Sequence, residues 1–418
     1  MSDTPAERDA PAADPTPDPS TRAADTLGER TAPDRNDAKD PGDASPQHTA
    51  DAAARQEDIK RLQRLPMIAT RSGYLDLFLL YGTLHMRRDA LRRELTAAPA
   101  DLQALVRLFA LGEAQEASSV ATVLGDDLLQ SLLRLGVLLR RDGQVQTGGL
   151  TLMPILGRFA FVPTPSHNPM AYFGDDVAGL LSRISPPAGG RGLNLHAGPC
   201  LTALIAAERC RHIIAVESSP VARACGELNV VMNGLADRVD VLDEETFAER
   251  HAGQRFDYVL ANAPLLPFPQ RLFARPGTAL PAEGNLSPTA LLVGALPTLL
   301  SDGGHAQLVG ADLGDSQGPS LAATIEAWTQ AHALSAVMTI PCRSDLPPDS
   351  RVLESLAWAC HSVSGQPMET ARERLLVHLQ ECGYHSLYLF YLTVSHGSRD
   401  PGLRVSRFDQ WGKGFWFR

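Results

Sequence analysis

From Arg191 onward, short apolar runs recur with helical stretches between most of them: "GLNLHA", "HIIAVE", "RVDVL", "FDYVLA", "GHAQLVGA", "ALSAVMTI" and "SLYLFYLTV". Strands that alternate with helices build a mostly parallel sheet, because each crossover needs an element that packs back onto the strands. The pattern predicts a seven-stranded, doubly wound α/β sheet. In such sheets ligands bind outside the carboxyl ends of the strands, so chemistry-bearing residues are sought just after each run.

After the first run comes "HAGPC", His196 to Cys200, leading into the helix "LTALIAAERC". A strand-to-helix turn with a glycine lets backbone approach a ligand and aims helix N–H groups at it, although a packing turn reads the same way. The second run ends at Glu217, which lies 19 residues beyond Gly198. That is the spacing at which a carboxylate meets ribose hydroxyls, and equally a place where one sits in water. The third ends in "LDEETF", where Asp243, Glu244 and Glu245 can accept from an adenine amino group and Phe247 can pack on its ring. The fourth, "FDYVLANAPLLPFP", stops at Asn262 and is stiffened by Pro264, Pro267 and Pro269. The Asn262 amide oxygen and the Ala263 carbonyl form a pair of acceptors for one substrate N–H group, held by restricted backbone. Beyond it, Arg271 and Arg275 are candidates for a substrate carboxylate or phosphate.

The whole chain limits the alternatives. Its 418 residues are 44% hydrophobic and 21% charged, ordinary for a soluble protein large enough for two domains. No run approaches the roughly 20 apolar residues of a spanning helix, and no secretory h-region is visible. The six cysteines form no CxxC pair, so neither a metal nor a disulfide framework is expected and they read as core residues of a reduced, cytoplasmic protein. Net charge is −10, of which −6 falls in residues 1–56, where twelve Asp/Glu face six Lys/Arg. That segment, with Leu27 its one Leu, Ile, Val or Phe, reads as a disordered tail.

Residues 57–164 are helical and then briefly extended. "DDLLQSLLRLGVLLRRDGQVQ" reads as a helix running into a hairpin turned at Asp142-Gly143, which suggests a winged-helix-like module. A helix that begins with Asp126 and Asp127 and offers only Arg134 as a cation is poorly made for phosphates, so nucleic acid is not expected as a partner. Residues 399–418 carry Phe408, Trp411, Phe415, Trp416 and Phe417, aromatic surface expected to dock on the body or at a subunit interface, which keeps a homodimer in view.

Glycine turn, two acids and Asn-x-Pro at four consecutive strand ends resemble the class I S-adenosylmethionine-dependent methyltransferases, Rossmann-like enzymes, in the branch with an Asn-Pro-Pro-(Tyr/Phe) motif that includes glutamine-N-methylating types. The resemblance spans roughly Tyr172 to Val394 within a domain at 165–398. "YFGDDVAGLLSRI" is similar to the family's segment over the cofactor, and "ELNVVMNGL" to its helix after the second strand. It implies S-adenosyl-L-methionine as cofactor, held by Tyr172, Asn194, His196, Gly198, Glu217 and Asp243 or Glu245. It places the acceptor clamp on Asn262, Ala263 and Pro264, with Leu265, Phe268, Arg271 and Arg275 toward substrate. The chain departs from the pattern at Asn194, at His196, Pro199 and Cys200 in the glycine turn, and at Ala263 and Leu265 in the clamp. The departures leave three readings open: N-methylation of a small-molecule or peptide acceptor in specialised metabolism, other chemistry with the same cofactor, or a catalytically silent binding or partner protein. Ribosomal RNA and protein glutamine rank lower as acceptors. If the acceptor is oxygen or carbon, His196 is the nearest base.

Overall fold

The computed structural model describes residues 46–81, 88–163, 174–274, 282–397 and 400–408. The first element is the helix Pro46–Leu62, so residues 46–56 of the expected tail are helical. Two anchors explain this. Leu62 is fully buried, and the buried Asp58 carboxylate accepts from Ser131 Oγ at 2.7 Å and Arg134 Nε at 2.8 Å. With its last turns pinned, the helix propagates back through the alanine run at 52–54, residues of the highest helix propensity.

Further helices follow, among them Ala117–Leu124 and Asp126–Arg134, with β1 (Gln115–Glu116), β2 (Leu138–Arg141) and β3 (Gln144–Thr147) forming a small sheet of order β1-β3-β2. The β2–β3 hairpin turns at Asp142-Gly143 as expected, with φ of 51° and 80° at the two positions. A second hairpin, β4 (Leu150–Ile155) and β5 (Arg158–Pro163), leads toward the large sheet.

That sheet contains all seven expected strands: β6 (Arg191–Leu195), β7 (His212–Val216), β8 (Val239–Leu242), β9 (Phe256–Asn262), β10 (Leu300–Gly314), β11 (Leu334–Asp345) and β12 (Ser386–His396). It also has an eighth, β13 (Gly402–Arg407), in a region read from sequence only as an aromatic terminal segment. The order is β13-β11-β12-β10-β9-β6-β7-β8, with β12 antiparallel to both neighbours and every other pair parallel. β13 pairs with the otherwise open edge of β11, and the Leu403 N–H donates to Glu326 Oε2 at 2.5 Å. Its sequence, "GLRVSR", has too few apolar residues to announce a strand, because Val405 on this edge stays exposed. Phe408 is 58% exposed rather than docked; the other terminal aromatics lie outside the described residues.

Alternating residues feed two cores. Ile213, Ala215, Tyr258 and Leu260 join one with the helices Leu201–Ala206 and Pro220–Met232; Ile214, Val216, Val259 and Ala261 join the other with Pro288–Leu299 and Leu321–Ala331. Burial on both faces is why these strands read as nearly continuous apolar runs. The insertion between β11 and β12 is a pair of helices, Arg351–Ser364 and Met368–Cys382, with a core of its own.

One helix face joins the N-terminal part to the sheet domain. The fully buried Asn229, on Pro220–Met232, accepts from Phe161 N at 2.7 Å and donates to Phe161 O at 2.8 Å and Pro199 O at 2.9 Å. One turn on, Asn233 Nδ2 donates to Phe159 O at 2.7 Å. The two amides complete the hydrogen bonding of β5 as a neighbouring strand would. Asn229→Ala leaves Phe161 N and Pro199 O unpaired and Phe161 O with only the Cys225 thiol, and urea unfolding is expected to show a loss of roughly 2 kcal/mol or more.

Asp312, buried near the end of β10, accepts from Leu321 N at 2.6 Å and Ser320 Oγ at 2.9 Å, capping the helix Leu321–Ala331 from outside it. Burial pushes its carboxyl from 3.8 up to about 7, with those hydrogen bonds opposing the rise. Between these values the folded chain keeps a proton that the unfolded chain has lost, so stability falls as pH rises through the window. Unfolding at about pH 4.5 and about pH 8 is expected to show wild type losing up to roughly 3 kcal/mol from this group, and Asp312→Asn losing little.

Candidate functional site

The sheet register places four of the expected residues in one row. Val216 pairs with Leu195 and with Leu242, and Leu195 pairs with Ala261. One step further along each strand come Asp243, Glu217, His196 and Asn262, at the carboxyl ends of β8, β7, β6 and β9. Neighbouring strands lie about 4.8 Å apart, so the backbones of Glu217 and Asn262 stand about 10 Å from each other across β6. Between β6 and β9 the strand order reverses and the following helices pack on opposite faces, which opens a crevice at the rim.

The turn beside the crevice is left-handed at His196, Gly198 and Cys200, with φ of 50°, 54° and 61°. For the two residues that carry a Cβ, this conformation costs roughly 1 to 2 kcal/mol each. Several bonds impose it. Ala197 N donates to Val216 O at 3.0 Å, Cys200 N to Ala197 O at 2.9 Å, and the Asn229 amide holds Pro199 O. Glu217 ties the turn to the next helix: Oε2 accepts from Gly198 N at 2.7 Å and Oε1 from Ser219 N at 2.8 Å. A carboxylate has about four lone-pair directions, so both oxygens keep capacity for hydroxyl donors. A Cβ at Gly198 would meet nothing within 4 Å, so the backbone there faces open space. His196 is half-buried, and desolvation pushes its pKa down while Glu217 and Glu244 pull the other way, leaving a neutral imidazole near pH 7.

Asn194 is set apart from this group. It is fully buried, and its Oδ1 accepts from Thr202 Oγ1 at 2.7 Å, so it fastens the start of the helix Leu201–Ala206 to β6 without opening into the crevice. Strand alternation turns residue 194 inward under that helix. On the acidic side, Asp243 caps the helix Glu244–His251 by accepting from Thr246 N at 2.7 Å, while Glu245 is exposed. Phe247 packs on His251 and Phe256, with ring centroids 5.7 and 6.4 Å away.

At the end of β9 the Asn262 side-chain oxygen is enclosed and has no hydrogen-bond partner among the described residues. The backbone beside it is fixed, because Ala263 N donates to Val309 O at 3.1 Å. Leu265 packs with Leu180, Val309 and Tyr391, forming an apolar wall next to the amide. Phe268, expected toward substrate, is instead fully buried in the core of the helical insertion and packs on Phe273 at 5.3 Å. The proline-rich loop carries the chain off the rim and onto those helices, which is where Phe268 finds apolar neighbours. Arg271 is exposed; its carbonyl accepts from Arg374 Nη2 at 3.0 Å. Tyr172 and Arg275 lie outside the described residues.

Two structural residues were not singled out from the sequence. Asn229 interrupts an otherwise apolar helix face. Gly226 sits in a helix interior, where glycine is disfavoured unless close packing requires it. A Cβ at Gly226 would come within 2.5 Å of Cys200 Sγ and 3.2 Å of Gly198 O. Among the described residues no three His, Cys, Asp or Glu side chains converge as a metal site, and no helix is long and apolar enough to cross a membrane. Five of the cysteines are buried, and Cys382 is exposed.

No protein-family model matches the chain, and no curated protein sequence matches it. Solved structures that align with it include the M. jannaschii tRNA m1G37 methyltransferase, at 12% identity and TM-score 0.34 over 60% of this chain and 55% of that one. Trm5b from Pyrococcus abyssi aligns at 11% identity and TM-score 0.36, covering 62% and 61%. A putative SAM-dependent methyltransferase from Streptococcus mutans aligns at 14% identity and TM-score 0.36, covering 66% of each chain. The chain thus spans less than two thirds of the length of each.

The packing of Gly226 on the turn gives a direct test. Gly226→Ala is expected to lower stability by roughly 1 to 3 kcal/mol, as overpacking does. Cys200→Gly in the same chain removes the Sγ contact and the left-handed strain, so the double variant should recover part of the loss in a denaturant titration.

Proposed function

We propose that the crevice between β6 and β9 holds S-adenosylmethionine, and that the chain is a methyltransferase acting on a nitrogen of a small-molecule or peptide acceptor. The observation that carries this reading is the enclosed, unpartnered Asn262 oxygen, two strands from the Glu217 carboxylate. A buried polar atom without a partner is destabilising, by roughly 1 to 3 kcal/mol, and is retained where a ligand supplies the missing donor. The open space over Gly198 and the residual acceptor capacity of Glu217 fit a nucleoside at the other end of the same row.

When bound, the cofactor supplies a methyl group on a positively charged sulfur, so the protein's share is mainly positioning. Glu217 accepts from ribose hydroxyls. Asn262 Oδ1 and the Ala263 carbonyl accept from the acceptor's N–H groups and orient its lone pair. Leu265, Leu180 and Tyr391 exclude water beside them. A nitrogen acceptor needs little acid or base work; an oxygen acceptor would give its proton to the neutral ring of His196.

The upstream helices and hairpin are taken as a winged-helix-like module that covers the site rather than reads nucleic acid. The helix Asp126–Arg134 has its cation engaged by Asp58, and its Asp127 holds Arg64 at 2.5 Å. A second reading, a silent binding protein with this fold, is favoured by the half-buried side chain of His196 on a left-handed turn where bare backbone would admit a cofactor more closely.

Titration calorimetry with S-adenosylmethionine and S-adenosylhomocysteine separates the two. Saturable binding of both is expected; no heat from either leaves only the silent reading. With tritiated cofactor and metabolite extract as acceptor source, Asn262→Ala is expected to keep cofactor affinity and lose about 100-fold in methyl incorporation. Unchanged incorporation would remove Asn262 from the reaction.

A further inference from the structure

A cleft of about 610 Å³ lies at the far end of the helix Pro220–Met232 from the crevice, between the helix Leu65–Arg71, the β4–β5 turn and residues 232–234. Its size is within the range of small-molecule sites, roughly 300 to 1,000 Å³. The wall has an apolar part, Pro66, Met67, Phe159 and Met232, and a polar part whose neutral donors are already engaged within the protein. Gln63 Nε2 donates to Val231 O at 3.1 Å, Thr70 Oγ1 to Pro66 O at 2.9 Å, and Asn233 Nδ2 to Phe159 O.

What remains on offer is positive charge. Arg71 and Arg158 both line the cleft, and no Asp or Glu does. Arg158 is partly balanced by Glu208 at 3.5 Å, whereas Arg71 has no carboxylate partner among the described residues. Apolar surface stays in water at the same place. Met67 is 45% exposed, and Leu156, at the β4–β5 turn, is 60% exposed with a left-handed φ of 45°. The left-handed φ at Leu156 belongs to the two-residue turn Leu156-Gly157, as at Asp142-Gly143, so what packing within the chain leaves unexplained is the exposed apolar surface of Met67 and Leu156.

We infer that this cleft is a second binding site, for a small amphipathic anion: a carboxylate or phosphate head on an apolar body, the head toward Arg71 and the body against Met67, Phe159 and Met232. Such a ligand would rest on one end of the helix whose other end and whose Asn229 hold the turn beside the crevice, and would reinforce the join between the two parts of the chain. The site stands independently of the transferase reading.

The probes are decanoate and decyl phosphate, titrated calorimetrically into the full chain without nucleoside. Saturable binding of at least one is expected, with a rise in thermal midpoint, and the tighter of the two names the head group. Arg71→Glu is expected to weaken it about tenfold or more, the loss of one charge-assisted hydrogen bond. Arg71→Gln, which keeps most of the side-chain stem, should weaken it in the same direction and guards against a misfolded variant. The proposal is overturned if neither anion saturates or if both Arg71 variants bind like wild type. It is equally overturned if decyltrimethylammonium matches decanoate, or if inorganic phosphate binds as tightly as decyl phosphate.

Discussion

The Asn229 side chain links three stretches of chain that are distant in sequence. Its amide pairs with both backbone groups of Phe161 on β5 and with the carbonyl of Pro199, while its own helix packs on the sheet. An apolar residue could fill the volume, but it would leave buried peptide groups without partners, and those are expensive to leave unmade. The β4–β5 hairpin, the left-handed turn and the helix after Glu217 are therefore held to one another by hydrogen bonds that only an amide at this position can make together. Gly226, one turn earlier, lets the same helix approach closely enough for this to happen.

The rim of the sheet differs from this arrangement in one respect. Around the turn, donors and acceptors are matched: Glu217 takes two N–H groups, and Asn194 is used by Thr202. At the end of β9 the Asn262 oxygen is enclosed and unmatched. The left-handed His196 and Cys200 are a second local expense, held in place by the surrounding bonds. Both lie at the switch in strand order, where a crevice forms because successive helices leave for opposite faces. An unfavourable group maintained by a rigid scaffold is what the proposed ligand would satisfy, and that is the physical support for the proposed site.

The central strands β6, β7, β9 and β10 were legible because burial on both faces demands nearly continuous apolar residues, β11 and β12 because every second residue is buried, and the strand-end residues followed from counting forward from each run. β13 was not legible, since it needs only to complete an edge and carries Arg404 and Arg407 with its two larger apolar residues. Phe268 looked like part of the clamp because it is only six residues beyond Asn262, yet the insertion after β11 supplied it with a core. The beginning of the helix Pro46–Leu62 was hidden by tail-like composition, because its anchors, Asp58 and Leu62, act through partners 70 or so residues away.

By itself, then, the sequence determined the α/β class, the strand runs and the residues that stand at their carboxyl ends, because these depend on local periodicity and on the pleat of a single strand. The tertiary structure decided which of those residues share a row, which of their polar atoms are satisfied and which apolar side chains become core. Pairing order, register and the packing of remote segments are set by contacts between distant parts of the chain. No window of neighbouring residues contains them.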